Sequence, residues 1–76
     1  EDRVETAGYK VYVSGTTCMI ENLRGNADIQ IFNVQGQLVV RDKTAQHNYS
    51  VSLKPGVHVV KISENGKDYV SKIILK

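Results

Sequence analysis

Apolar and polar residues alternate in short runs along most of the chain, and no window sustains the 3.6-residue spacing of a helix. Tyr9-Lys10-Val11-Tyr12-Val13 reads as a first strand closed by Ser14-Gly15, and Thr16 to Leu23 as a second, ending in Arg24-Gly25-Asn26. So short a link predicts a hairpin, with Gly15 supplying a positive φ. Asp28 to Val34 is a third strand, with Ile29 and Ile31 on one face and Phe32 and Val34 on the other. Asn33-Val34-Gln35-Gly36 has the residues of a type I turn followed by a left-handed glycine, and returns the chain as Gln37 to Arg41. Asp42 to Asn48 is a polar connection. In Tyr49-Ser50-Val51-Ser52-Leu53 the alternation is complete, placing Tyr49, Val51 and Leu53 inward and the serines outward.

Pro55-Gly56 predicts a type II turn, because proline presets φ at the second position and glycine permits positive φ at the third. Val57 to Ser63 then leads into Asn65-Gly66, the strongest hairpin signal in the chain, and Lys67 to Lys76 completes that hairpin. About seven short strands with no intervening helix predict antiparallel pairing and two stacked sheets, since one open sheet of this kind leaves an apolar face wet. The expected fold is all-β, an immunoglobulin-like antiparallel β-sandwich of Greek-key type.

A length of 76 residues allows one small domain. Glu1 to Gly8 is polar and aperiodic and reads as the tail of a linker from an upstream domain, leaving residues 9–76 as the folded unit of a longer protein. The single cysteine, Cys18, excludes an intrachain disulfide and reads as a small buried core residue. Ten basic and eight acidic residues give a net charge of +2, which with no basic run and no aromatic platform argues against nucleic acid. No apolar stretch reaches membrane-spanning length and no signal-peptide pattern opens the chain.

Catalytic chemistry has little to stand on. His47 lies in the polar connection, where a solvated loop side chain is expected, and His58 lies among valines, where a packed or sheet-surface role is expected. Neither has a second His or Cys at metal spacing, so no metal and no cofactor is expected. Asp42 and His47 share a connection without an accompanying nucleophile. Gly36, Gly56 and Gly66 each close a turn between strands, and none opens a phosphate-binding helix. The domain is expected not to be an enzyme. Lys61, Lys72 and Lys76 fall in or beside the last two strands, where lysine serves either edge protection or recognition. Ile73-Ile74-Leu75 makes both faces of the last strand apolar, as in a central strand or one docked by a partner.

These residues carry a family resemblance. The order Asn-x-x-Gly-Gln-Leu-Val at Asn33 to Val39, Leu-x-x-Gly-Val-x-Val-Val-Lys-Ile at Leu53 to Ile62, and Lys72-Ile73-Ile74-Leu75-Lys76 resembles the type A C-terminal sorting domain of the type IX (Por) secretion system. The resemblance runs from about Tyr9 to Lys76 and is strongest from Asp28 onward. It implies an immunoglobulin-like sandwich that acts as an address label: the parent protein crosses the periplasm, and the outer-membrane translocon reads the domain and exports the protein to the surface or the medium. It further implies, for typical cargo, cutting by a sortase-like protease and attachment to anionic lipopolysaccharide. The positions that carry over are Gly36, Gly56, Val57, Lys61, Lys72, Ile73, Ile74, Leu75 and Lys76. This chain departs from the family in having Val11-Tyr12-Val13-Ser14-Gly15 where a Tyr-Pro-Asn-Pro-like stretch is usual, and His58 where an aromatic follows Gly-Val. Cleaved cargo and a retained component of the machinery both stay open.

Two other readings of the residues are an accessory module that binds carbohydrate or protein through its loops, and a spacer that dimerises through an edge strand. The loops are short and contain no tryptophan, which weighs against a sugar platform.

Overall fold

β-Branched and aromatic residues occupy alternate positions of nearly every run, and such side chains pack well on a pleated surface with one wet face. In the computed structural model, which describes residues 8–76, the chain forms seven strands and no helix. The linker tail expected over residues 1–8 lies outside the described residues except for Gly8. The strands are β1 (Lys10–Ser14), β2 (Thr17–Glu21), β3 (Ala27–Asn33), β4 (Leu38–Thr44), β5 (Tyr49–Ser52), β6 (Gly56–Glu64) and β7 (Lys67–Leu75). They build one sheet in the order β1-β2-β5 and a second in the order β4-β3-β6-β7, with every pairing antiparallel. This is the two-sheet sandwich that the sequence predicts. No helix among the described residues is long and apolar enough to cross a membrane.

The turns follow their chemistry at three of four places. Ser14 pairs with Thr17, so Gly15 opens a two-residue loop with φ +63°, as a type II′ turn requires. Asn33 accepts from the Gly36 amide at 3.0 Å and donates to the Gln37 carbonyl at 2.9 Å, with Gly36 at φ +85° closing a three-residue loop. Its side chain locks that loop further, because Oδ1 accepts from the amides of Gln35 and Gln37. Asn65 and Gly66 both take positive φ, +55° and +76°, which is the type I′ geometry matched to strand twist.

Pro55-Gly56 is different. Gly56 has φ +130°, far from the value near +80° of a type II turn, and already belongs to β6. The cause is topological: β5 and β6 lie in different sheets, so residues 53–56 bridge the sandwich instead of folding back. Before that crossing, the Leu53 amide donates to the Thr16 carbonyl at 2.9 Å and extends the β2–β5 ladder by one step. β4 also runs three residues further than Arg41, because Asp42, Lys43 and Thr44 continue the ladder with Ile29, Asp28 and Ala27. Thus part of the expected polar connection is an exposed strand edge. The final strand ends at Leu75, one residue short of Lys76.

The core lies between the sheets. Ile29, Ile31, Val60 and Ile62 from the larger sheet meet Cys18 and Ile20 from the smaller, all almost fully buried. Val13, Tyr49, Val51 and Leu53 pack at its margin. Burial pushes the Cys18 thiol up to about 11, so the thiol is both shielded and protonated at neutral pH.

One buried carboxylate joins three parts of the chain. Glu64, 4% exposed at the end of β6, accepts hydrogen bonds from the Tyr9 hydroxyl, from the Arg24 amide at 2.7 Å and from the Gly25 amide at 3.2 Å. Tyr9 meets Tyr69 edge to face at 5.2 Å, and the Arg24 guanidinium sits over the Tyr9 ring at 5.8 Å. At the same end, Leu23 and His47 exchange two bonds: the Leu23 amide donates to the His47 carbonyl, and His47 Nδ1 donates to the Leu23 carbonyl at 2.8 Å. His47 is therefore exposed but anchored.

Burial, and then its bond to Glu64, pushes the Tyr9 phenol up to about 12; burial, and then its bond to Asp42, does the same for Tyr49. A folded-state value above that of the unfolded chain favours the neutral form. The associated stability is therefore fully present below pH ~10 and is lost as pH rises from about 10 towards 12. We expect the urea midpoint to fall across that window, and Tyr9→Phe to lessen the fall. A flat profile between these limits counts against ionisation of the two phenols as a destabilising step.

Candidate functional site at the loop end of the sandwich

Strand direction gathers the positions singled out by sequence at one end of the molecule. β3 ends at Asn33 opposite His58, and β6 begins at Gly56 opposite Leu75. The turn containing Gly36, the Pro55-Gly56 bridge and the end of β7 therefore sit side by side. Gly56, Val57, Ile73, Ile74 and Leu75 form one continuous patch of ladder. Lys61 and Lys72 lie farther along, on the outer face of the four-stranded sheet.

Alternation divides the last strand into two sets. Ile73 and Leu75 point into the core and are buried, while Lys72 and Ile74 point outward, Ile74 being 57% exposed. The apolar run is thus not the mark of a central strand, since β7 forms an edge of its sheet. Ile73 and Leu75 face the core, and within residues 72–76 Lys72, Ile74 and Lys76 face solvent. Lys61 pairs with Asp68 at 3.7 Å, whereas Lys72 has no acidic partner among the described residues. Arg41 approaches Asp28 at 4.0 Å, so the acids of this outer face lie at the far end and leave the loop end cationic.

Sequence reasoning missed the exposed apolar residues that surround this end. Val34 at the turn is 77% exposed, and Leu38 and Val39 are each about half exposed at the start of β4. With Ile74 they make four of the five large exposed hydrophobics among the described residues, the fifth being Val70 on the outer face of β7. Leu38 and Val39 stand where β4 bulges, because Ile31 pairs with Val40 and Phe32 with Leu38. The available signal was Val34 itself, an apolar residue in a turn position that polar residues normally fill.

Between the turn, the start of β4 and the sheet-to-sheet bridge lies a cleft of about 570 Å³. Val34, Val39, Leu53, Pro55 and Val57 give it apolar walls, and Lys54 and His58 are its only ionisable residues. His58 is 6% exposed, and its Nδ1 donates to the Gly56 carbonyl at 3.3 Å. A second cleft, at the opposite end beside Asp28 and Lys43, is smaller at about 430 Å³ and more polar. Among the described residues no group of three His, Cys, Asp or Glu is placed to hold a metal ion.

Val34, Leu38 and Val39 thus form an exposed apolar patch at the turn and the start of β4. The family model for the secretion system C-terminal sorting domain matches residues 9–76, which takes in all seven strands. The chain belongs to this family. The sorting domain is thus a signal for type IX secretion, which takes proteins to the outer-membrane surface or beyond the cell, and it interacts with that secretion system. No curated protein matches the chain. In this sorting domain the strand positions of the family pattern divide by alternation into residues facing the core and residues facing solvent.

Proposed function

We propose that this sorting domain is read by the type IX translocon at its loop end and along the adjoining outer face, after its parent protein has reached the periplasm. The match of the family model across the whole sandwich carries this reading. The outward residues Val34, Leu38, Lys72, Ile74 and Lys76 supply an apolar and cationic surface for it. The domain itself contributes binding and no catalysis. For cargo that is processed, a sortase-like outer-membrane component cuts upstream of the sandwich and joins the cargo to anionic lipopolysaccharide. A parent that belongs to the machinery keeps the domain at the surface.

The test places residues 1–76 after a signal-peptide-bearing fluorescent reporter, in a bacterium with a working translocon and in its translocon-null twin. Surface or medium fluorescence only in the first strain is expected, and the reporter's size shows whether the domain is removed. Deleting residues 72–76 is expected to abolish export while the reporter stays folded and fluorescent in the periplasm. Retention of the intact fusion in both strains overturns the sorting reading and favours an accessory binding module.

A further inference from the structure

The cleft at the loop end is more than a gap beneath the turn. It opens between β4 and β5, which are edge strands of different sheets, so unpaired main-chain groups flank its mouth. Its walls are apolar, and its size falls within the range of sites that bury side chains or small ligands. No carboxylate lines it, and its two ionisable residues, Lys54 and His58, both belong to the cationic class. His58 is more than nine-tenths buried and holds the Gly56 carbonyl through Nδ1, while Nε2 has no partner among the described residues. Nδ1–H is held by the Gly56 carbonyl, so Nε2 is the ring nitrogen left to a group that enters.

We propose, on the footing of the sorting reading above, that this cleft takes an apolar side chain from an extended, acid-flanked segment of a translocon protein. The apolar side chain fills the space among Val34, Val39, Leu53 and Val57. A main-chain N–H of the segment donates to His58 Nε2. The flanking carboxylates meet Lys54 at the rim and Lys72 on the outer face, neither of which has an acidic partner among the described residues. A segment of this kind fits better than a membrane surface: a bilayer is too broad to enter a cleft, and the chain has no tryptophan to seat at its interface.

The experiment titrates the isotopically labelled 76-residue chain with an acetylated, amidated hexapeptide, Glu-Leu-Asp-Phe-Glu-Leu, and follows amide and imidazole NMR shifts. Its counterpart Lys-Leu-Lys-Phe-Lys-Leu and phosphatidylglycerol vesicles serve as competing probes. The acidic peptide is expected to move residues 33–40 and 52–58 and the His58 ring, and to bind roughly tenfold or more tightly than the lysine peptide. Val34→Asp, at an exposed turn position that tolerates a polar residue, is expected to weaken the acidic peptide by about tenfold with an unchanged fold. His58→Phe keeps the packing and removes Nε2, and it is expected to weaken binding as well. If that variant does not fold, Val34→Asp decides the question by itself. Equal binding of the two peptides, shifts confined to other surfaces, or vesicles displacing the peptide from the cleft each overturn the inference. Reporter export separates this failure from a deeper one. Full export of Val34→Asp alongside wild type overturns the cleft alone, whereas translocon-independent behaviour of the wild-type fusion overturns the sorting reading and the cleft's partner together.

Discussion

Glu64→Ala is expected to cost about 2–4 kcal/mol, because it removes the one acceptor shared by three hydrogen bonds, and a buried donor left unsatisfied costs about 1–3 kcal/mol. The carboxylate accepts from the buried Tyr9 hydroxyl and from the part-buried amides of Arg24 and Gly25, and alanine takes that acceptor from all three. A domain of 76 residues, at roughly 0.05–0.15 kcal/mol per residue, has only about 4–11 kcal/mol in total. The loss is therefore a large share of the total. Glu64→Gln keeps the shape and one acceptor oxygen, so an intermediate loss is expected, and Tyr9→Phe removes a single bond and costs least. Urea denaturation followed by circular dichroism orders the three. A loss below about 1 kcal/mol for Glu64→Ala contradicts the role given to this carboxylate. The loss also has a direction in the structure: the carboxylate fastens the entry to β1 and the β2–β3 link onto the β6–β7 hairpin, so both should show early hydrogen exchange.

Why Glu64 escaped the sequence reading is physical. It precedes Asn65-Gly66, where a charged residue looks like the polar flank of a hairpin, and nothing local says that its partners lie some forty and fifty-five residues away. Period-two alternation, by contrast, is local. It put Ile29 and Ile31 together on one face, which the structure buries, and Ser50 and Ser52 outside. Turn chemistry was legible for the same reason at Gly15, at Asn33 to Gly36 and at Asn65-Gly66, where the residues that need positive φ are themselves the signal. Pro55-Gly56 failed because the same dipeptide serves a hairpin or a bridge between sheets, and only the assignment of β5 and β6 to different sheets decides which. The last strand shows a third kind of limit. A run of Ile73, Ile74 and Leu75 fits a central strand or a docked edge, and pairing order, which sequence does not carry, places it at an edge. The candidate site was half visible on the same terms. Its glycines and terminal lysines were legible as a family pattern, while Val34, Leu38 and Val39 became a surface only once the turn and the bulge of β4 had placed them together.

That edge position makes adjacent residues of one strand opposite in role, and recognition at the loop end stands or falls on the contrast. Deleting residues 72–76 removes Ile73 and Leu75 from the core together with every outward group, so loss of export in that variant mixes folding with recognition. Point changes separate them. Ile73→Ala, at a side chain 7% exposed, is expected to cost about 2–5 kcal/mol through lost burial and a cavity between the sheets. Ile74→Asp, at a side chain 57% exposed on the outer face of an edge strand, is expected to change stability by about 1 kcal/mol or less. If a partner reads this face, the order in export is reversed. Ile74→Asp places a carboxylate beside Lys72 on the surface offered to an acidic partner, and export of the reporter fusion is expected to fall by roughly tenfold or more, since like charges facing one another cost several kcal/mol. Ile73→Val removes only one methylene, about 0.5–1.5 kcal/mol, and leaves the outer face untouched, so its export is expected to stay near wild type. Urea melts and translocon-dependent surface fluorescence, measured on the same variants, supply both axes. Export that tracks stability across the set means that the machinery merely requires a folded sandwich. Export that collapses at Ile74→Asp while stability holds assigns recognition to the outward face of the last strand, where alternation leaves side chains free to be read.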